Sequence, residues 1–454
     1  MTDQSLRGFL DLLEADGQLL RVSRRVDARH ELAAWLGIDD DGPALLFEDV
    51  SGSDTPVVGN VVNSRERLAV ALGVPVAALT ATIAHAVSRS GTSRLLTDPP
   101  CQEVVHRSVD LGQLPIPWFF EHESGPYITA GAVVARDPET GRPNLSIARL
   151  KPLSGSRALI GIAPNHHLAI MARKAADRGE GLPMAVAIGL HPALLLGAAL
   201  YLDLGDDELE HVAELFGAPL ALARCLSVDL QVPAHAEFVL EGVLQPEMLV
   251  DEGPVSEFHG MYEDYGPAPT VEFTVCTHRS QPILQVIEPG YHPEHIVIGA
   301  VAIAAVVRRT LQRIGVPVVE VAVGMAGAGR LSASVALESP RPGDARRCAF
   351  AIWGAVSLIK QVTVVDDDVD VWDDAAVERA RLLRSRPERD LLIVPATRAD
   401  RSEPLEHDGL GSKLAIDATM RPEDRELGFR TAEPPSNVVR LVEQQWRDLG
   451  RMRG

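Results

Sequence analysis

The chain has 454 residues, too many for one compact core, and its 46% hydrophobic content argues for two or three domains and against wholesale disorder. A formal net charge of -20 excludes a broad basic surface for a polyanion, and 4% aromatic content argues against a base-stacking platform. Four scattered cysteines, Cys101, Cys225, Cys276 and Cys348, form no CxxC pair, which argues against a zinc ribbon and predicts free thiols. The first residues, Met1-Thr2-Asp3-Gln4, carry no basic or apolar leader, and the longest apolar stretch, Ile296 to Val307, is too short to cross a bilayer. The expectation is a soluble, cytoplasmic protein with no nucleic-acid or membrane partner.

In chain order, Leu6, Phe9, Leu10 and Leu13 recur at helical spacing, with Gly17 as the expected C-terminal cap. A strand follows at Leu19 to Val22, another at Val57 to Val62, then an alanine-rich helix. These predict a small N-terminal α/β domain, closed by a proline-punctuated linker from Pro99 to Pro117, so that residues 1–117 form one unit. Residues 118–292 carry short β-rich runs at 131–135, 145–150, 185–190, 236–240, 271–276 and 283–287, which predict a β-barrel or split barrel. Helices are expected there from His167 to Asp177 and from Asp207 to Phe216. Residues 293–454 open with a long apolar helix to Ile314, followed by strands at 318–323, 332–337 and 361–365 around a helix from Asp344 to Ile359. Alternating helices and strands predict an α/β layer domain. The terminal stripe Val438, Val439, Val442, Trp446 and Leu449 predicts a helix docked on its own domain, with an arm exchanged between protomers as the second reading.

Several motifs fail their tests. Gly324 to Gly329 does not match GxGxxG, Gly409-Leu-Gly-Ser-Lys413 lacks the spacing of a phosphate-binding loop, and there is no GxSxG elbow. The acidic run Asp366 to Asp374 lacks the glycine and terminal glutamate of a calcium loop and reads as a solvated strand end.

Two segments do point to chemistry. Asn144-Leu-Ser-Ile-Ala-Arg149 places an arginine at the end of an apolar alternating run, and Glu252-Gly-Pro-Val-Ser-Glu257 flanks a Gly-Pro turn with two carboxylates. Taken alone, each has a plain reading, as a satisfied core arginine and as two surface acids. Brought together, the Glu-Arg-Glu cluster keeps one carboxyl protonated and one ionised, which suits proton delivery to carbon. Asn144, His166 and Glu208 offer an amide oxygen, an imidazole and a carboxylate, a set better suited to Mn²⁺ or Mg²⁺ than to zinc. The adjacent His167 is not distinguished from His166 by sequence.

These residues resemble the UbiD-type decarboxylases that use prenylated FMN. The likeness rests on Asn144-x-Ser146-Ile147-Ala148-Arg149, Ile162-x-Pro164-x-His166, Ala187-x-Gly189-x-x-Pro192, Glu208 before Gly217, Glu241-Gly242, Glu252-Gly-Pro-x-x-Glu257-x-His259-Gly260 and Gly411-x-Lys413. The ordered set spans nearly the whole chain and is most similar to the branch acting on acrylic and cinnamic acids. The resemblance implies a multidomain α/β (α+β) protein: a small N-terminal α/β domain, a central split-barrel cofactor domain and a C-terminal oligomerisation domain. It implies that Asn144, His166 and Glu208 hold Mn²⁺ (or Mg²⁺) against the cofactor phosphate, with K⁺ or Na⁺ nearby and Lys413 as a further clamp. It implies cofactor contacts from Ser146, Ile147, Ala148, Arg149, Asn165, Ala198 and Ala199, and a substrate pocket shaped by Ile162, Asn165, Phe258 and Ile298. Arg149, Glu252 and Glu257 are the implied catalytic network, with Glu257 protonating carbon after CO₂ leaves and the modified flavin acting as electron sink. Asn165 stands where that branch tends to have glutamine, and Ala198 and Ala199 replace small hydroxyl residues. Implied partners are a small carboxylic acid, a flavin prenyltransferase that supplies the cofactor, and a second copy in a homodimer or larger assembly. Two rivals are a flavin oxidoreductase using ordinary FMN on the same barrel, and a non-catalytic assembly subunit.

Overall fold

In the computed structural model, which describes residues 3–404, 408–421, 423–424 and 432–451, the β-run expected at 145–150 is broken at one residue, Ala148. That break organises the central domain. Strand Pro143–Ile147 lies at one edge of the eight-stranded antiparallel sheet and strand Arg149–Pro152 at the other, although they are consecutive in the chain. Between them the order runs through 132–136, 182–188, 238–251, 267–278 and 157–161. A sheet whose two edges are one continuous stretch has curled until its ends meet, which is the split barrel expected from the sequence. Its interior is filled by alternating apolar residues such as Val133, Val186, Leu240 and Val271, all fully buried.

The expected linker contains strand Val104–His106, which pairs with 267–278, so part of residues 99–117 belongs to the central sheet. A proline-flanked strand is tolerated there because it sits off the main path of the sheet. Conversely, the run at 283–287 shortens to Leu284–Gln285 and completes the N-terminal sheet beside Val57–Gly59. The two units expected to divide at 117 therefore exchange strands in both directions. The strand expected to reach Val62 ends at Gly59, because Asn60 has φ +56°.

The C-terminal domain has a five-stranded mixed sheet in the order 318–322, 332–337, 361–366, 410–417, 391–398. Helix Pro293–Arg313 packs on it and also against the N-terminal helix Leu79–Ala86. The acidic run is structural: Asp373 caps helix Asp374–Arg384 by accepting from the backbone N–H of Ala375 and Ala376, and Arg384 pairs with Asp366 and Asp368. The terminal helix Ser436–Arg451 leaves Val438, Val439, Val442 and Trp446 exposed, Trp446 by 72%. The side chain of Leu449 lies outside the described residues. Among the described residues no single helix is long and apolar enough to cross a membrane.

The start of the long helix ties the domains together. Buried Glu294 accepts from the backbone N–H of Asn60 (2.8 Å) and Val62 (2.9 Å). One turn earlier, Glu288 Oε2 lies 3.7 Å from His292 Nε2, and neither atom has a hydrogen-bond partner. Burial pushes the Glu288 carboxyl up to about 8 from its ordinary 4.5. A raised carboxyl favours the fold while protonated. That stability is complete below about 4.5 and is lost as pH rises through about 8. Glu288→Gln is therefore expected to raise the melting temperature at pH 8.5 by at least about 2 °C and to add little at pH 5. Thermal unfolding across pH checks this; parallel curves for the two proteins would contradict it.

Candidate active site

The barrel closure places the first catalytic candidate. Arg149 begins the last strand and is paired across the sheet with Gly161. A Cβ at residue 161 would lie 2.7 Å from Arg149 Nε, so the glycine leaves the room in which the guanidinium lies. Strand Phe238–Asp251 delivers Glu252, and Gly253 (φ +70°) with Pro254 turns the chain toward Glu257.

The two segments meet. Arg149 Nε donates to Glu252 Oε1 (2.7 Å) and Nη2 to Oε2 (2.8 Å), a bidentate clamp, while Nη1 reaches Glu257 Oε1 at 3.3 Å. Burial works against the Arg149 charge, but hydrogen bonding and attraction from Glu252, then Glu257, outweigh it and raise its proton affinity. Glu252 is 1% exposed and Glu257 13% by side chain, so the clamped acid is sealed and the other faces the cavity. The turn is pinned from outside. Lys151 Nζ donates to the Glu252 carbonyl (2.7 Å), Ser124 Oγ does the same, and the Ser256 hydroxyl donates to buried Glu123 (2.5 Å). Tyr265 stacks beneath Arg401 (4.1 Å) and lies 5.4 Å from Arg149.

The metal candidates share the same cavity, whose volume is about 640 Å³. Asn144 Nδ2 donates to Glu208 Oε1 (2.9 Å), and the Leu145 N–H donates to Glu208 Oε2 (2.8 Å). Asn144 Oδ1 and Ser146 Oγ are buried without a partner. Burial raises the Glu208 carboxyl to about 8 and lowers the His166 imidazole to about 4. His166 caps helix His167–Ala176, its Nδ1 accepting from the Leu168 N–H. An orphaned amide oxygen, a buried carboxylate lacking a cation and a neutral imidazole fit a divalent ion, which would reverse the Glu208 shift. His167 also lines the cavity but feels Asp203 and Asp206. Among the described residues no group of three or more His, Cys, Asp or Glu is gathered for a metal, so the amide of Asn144 is needed to complete the set.

Ser146, Ile147, Ala148, Asn165, Ala198, Ala199, Phe258 and Ile298 line the cavity. Two of the expected cofactor and pocket residues do not. Ile162 falls between the lining residues Gly161 and Ala163, and strand alternation turns it to the packed layer behind. Lys413 is 1% exposed within strand Leu410–Asp417, and its ammonium donates to the Ser357 carbonyl. It is committed inside the C-terminal domain and lies outside the cavity lining. The cations in that lining are Arg149, Arg309, Arg313 and Arg330, and His166, His167 and His295 line it as well. Glu123, Tyr127, Tyr201 and Arg330 line the cavity without having been expected. They come from segments whose local sequence carries no motif.

The chain is similar to known proteins over almost its whole length. Residues 10–87, 94–292 and 296–418 match the N-terminal, Rift-related and C-terminal domain models of 3-octaprenyl-4-hydroxybenzoate carboxy-lyase (UbiD). Anhydromevalonate phosphate decarboxylase of Methanosarcina mazei is 33% identical, over 91% of this chain and 95% of that protein. Among solved structures, the UbiD-class enzyme HmfF of Pelotomaculum thermopropionicum in complex with FMN is similar at a TM-score of 0.91 and 37% identity, covering 95% of this chain and 97% of that one. The closed form of vanillic acid decarboxylase of Sedimentibacter hydroxybenzoicus is similar at 0.88 and 26% identity, covering 99% of each chain.

Proposed function

This chain belongs to the UbiD family of carboxy-lyases, and from that premise we propose that it is a reversible, non-oxidative decarboxylase of an α,β-unsaturated or (hetero)aromatic acid, working with prenylated FMN. The observation that carries the reading is the asymmetry of the Glu-Arg-Glu cluster: one acid clamped and sealed, the other on one longer contact and open to the cavity. Relatives named for anhydromevalonate phosphate and for vanillic acid support the class of reaction, and an HmfF structure with prenylated FMN supports the cofactor.

When bound, prenylated FMN supplies the electron sink that a carbon losing CO₂ requires. Asn144, His166 and Glu208 would hold Mn²⁺ or Mg²⁺ against its phosphate, and Ala198 and Ala199 would leave backbone oxygens for K⁺ or Na⁺. Glu252 keeps the guanidinium in place and takes no proton, because both its oxygens accept from Arg149. Glu257 holds the proton and passes it from its carboxyl oxygen to the carbon that CO₂ has left. Its single contact to Arg149 aims that oxygen without binding it tightly. The Glu123–Ser256 bond and the Lys151 and Ser124 bonds to the Glu252 carbonyl fix the turn that carries both acids.

Protein produced together with a flavin prenyltransferase is expected to release CO₂ from at least one member of a panel of acrylic, cinnamic and heteroaromatic acids. Protein produced without it is expected to be inactive. Equal activity with ordinary FMN would favour the oxidoreductase reading, and a holoprotein that releases no CO₂ from any acid would sink the decarboxylase.

We also propose self-association through the terminal helix. Its exposed apolar stripe is what a second copy would cover, and an evolved form of HmfF is dimeric. Val442→Asp with Trp446→Asp is expected to at least halve the mass measured by sedimentation. An unchanged mass would assign the interface elsewhere.

A further inference from the structure

Arg330 is a cation in the cavity wall that makes no ion pair among the described residues, although the Glu257 carboxylate attracts its charge from a distance. It follows the glycine-rich turn Gly324 to Gly329, between strands Val318–Ala322 and Ser332–Leu337. The glycines press this turn onto the long helix: a Cβ at Gly329 would lie 2.5 Å from Ile296. On the helix, a Cβ at Gly299 would lie 2.1 Å from Arg330 Nη1, so Gly299 opens the slot that the guanidinium fills. There Arg330 makes only long bonds, to the carbonyls of Gly329 (3.2 Å), His295 (3.4 Å) and Ile296 (3.5 Å), and no ion pair among the described residues. It lies 5.7 Å from the Phe258 ring, next to Glu257, and Tyr201 feels its charge. Arg330, Tyr201, Phe258, His295, Ile298 and Gly299 all line the same cavity.

The two arginines divide their work. Arg149 spends Nε and Nη2 on Glu252 and reaches Glu257 with Nη1. Among the described residues the Arg330 fork donates to carbonyls and to no carboxylate. A cation held on the reacting carboxylate would oppose catalysis, because that group must give up its charge as CO₂ departs. The same cation on a group that does not react binds ground and transition states alike and sets affinity and specificity. A guanidinium suits a carboxylate or phosphate equally.

We propose that Arg330 anchors a second, non-reacting anionic group of the substrate, so that the preferred substrate is an acid carrying another carboxylate or a phosphate. This rests on the decarboxylase reading above and narrows its substrate class.

The test uses holoprotein made with the prenyltransferase and near-isosteric acids: sorbic against muconic acid, and 4-methylbenzoic acid against terephthalic acid and 4-carboxyphenyl phosphate. The wild type is expected to favour the dianions, and Arg330→Gln to lower the dianion-to-monoanion ratio of kcat/KM about 10- to 100-fold, mainly through KM. Arg330→Lys should recover part of the ratio. Comparing terephthalate with the phosphate ester identifies which anion is taken. Equal losses for mono- and dianions would overturn the proposal, since the charge would then serve the reacting carboxylate or the fold. Loss of bound flavin from Arg330→Gln would overturn it too, by assigning the cation to the cofactor. Perturbation of the flavin spectrum on titrating each acid reads the same ratio as Kd without turnover. A holoprotein that releases no CO₂ therefore sinks the decarboxylase reading while the titration still decides the role of Arg330.

Discussion

Glu257→Gln is expected to lower kcat about 10²- to 10⁴-fold while the holoprotein keeps its bound flavin. The amide retains the size of the side chain and an oxygen for the 3.3 Å contact with Arg149 Nη1, so the cluster should survive the change. What disappears is the acidic carboxyl that faces the cavity. The companion acid serves as control. Glu252→Gln removes the counter-charge of a bidentate clamp and should disturb stability as well as rate, whereas Glu257→Gln should disturb rate alone. Steady-state CO₂ release, flavin content and melting temperature, measured together, separate the two. A Glu257→Gln enzyme with an unchanged rate would remove the acid role from this residue, whatever becomes of the family assignment.

The site was legible in the sequence where chemistry and local pattern coincide. Arg149 stands at the end of an alternating apolar run, and Glu252 and Glu257 bracket a Gly-Pro turn, so both segments could be picked out though their contact spans 103 positions. One helix start was legible in the same way, at Asp207, whereas Asp373, read as part of a solvated strand end, caps a helix that the sequence reading missed. Other features depend on tertiary placement. Lys413 lies in a strand with its neighbours visible in the sequence, but that strand is placed between 361–366 and 391–398, inside the C-terminal domain and away from the cavity lining. Arg330 follows a glycine-rich turn that reads locally as a failed nucleotide motif. Its meaning comes from Gly299, which lies in another element and opens the slot. Strand 104–106 and strand 284–285 are too short for a periodicity argument, and each joins a sheet outside its expected domain.

Arg149→Met tests whether the cluster also holds the fold. Removing the guanidinium leaves Glu252, 1% exposed, as a buried carboxylate without its hydrogen-bonded cation, with only the more distant charges of Lys151 and Arg401 nearby. Breaking a buried pair from one side costs about 3–5 kcal/mol, far more than the intact pair contributes over a well-packed apolar substitute. The variant is therefore expected to melt well below the wild type and to have no measurable decarboxylase activity. The loss should depend on pH. A buried carboxylate without its partner has its proton affinity raised in the folded state, so the variant keeps its stability where that acid is protonated and loses it as pH rises. Arg149→Met should accordingly lie closer to the wild type at pH 5 than at pH 8. Adding Glu252→Gln removes the stranded charge, and the double variant should regain most of the melting temperature while remaining inactive. Such a cycle separates the pair's contribution to stability from its contribution to chemistry. If the double variant were no more stable than Arg149→Met, the burden would lie in lost packing of the arginine stem against Gly161 and Tyr265, and the charge argument for this clamp would fail.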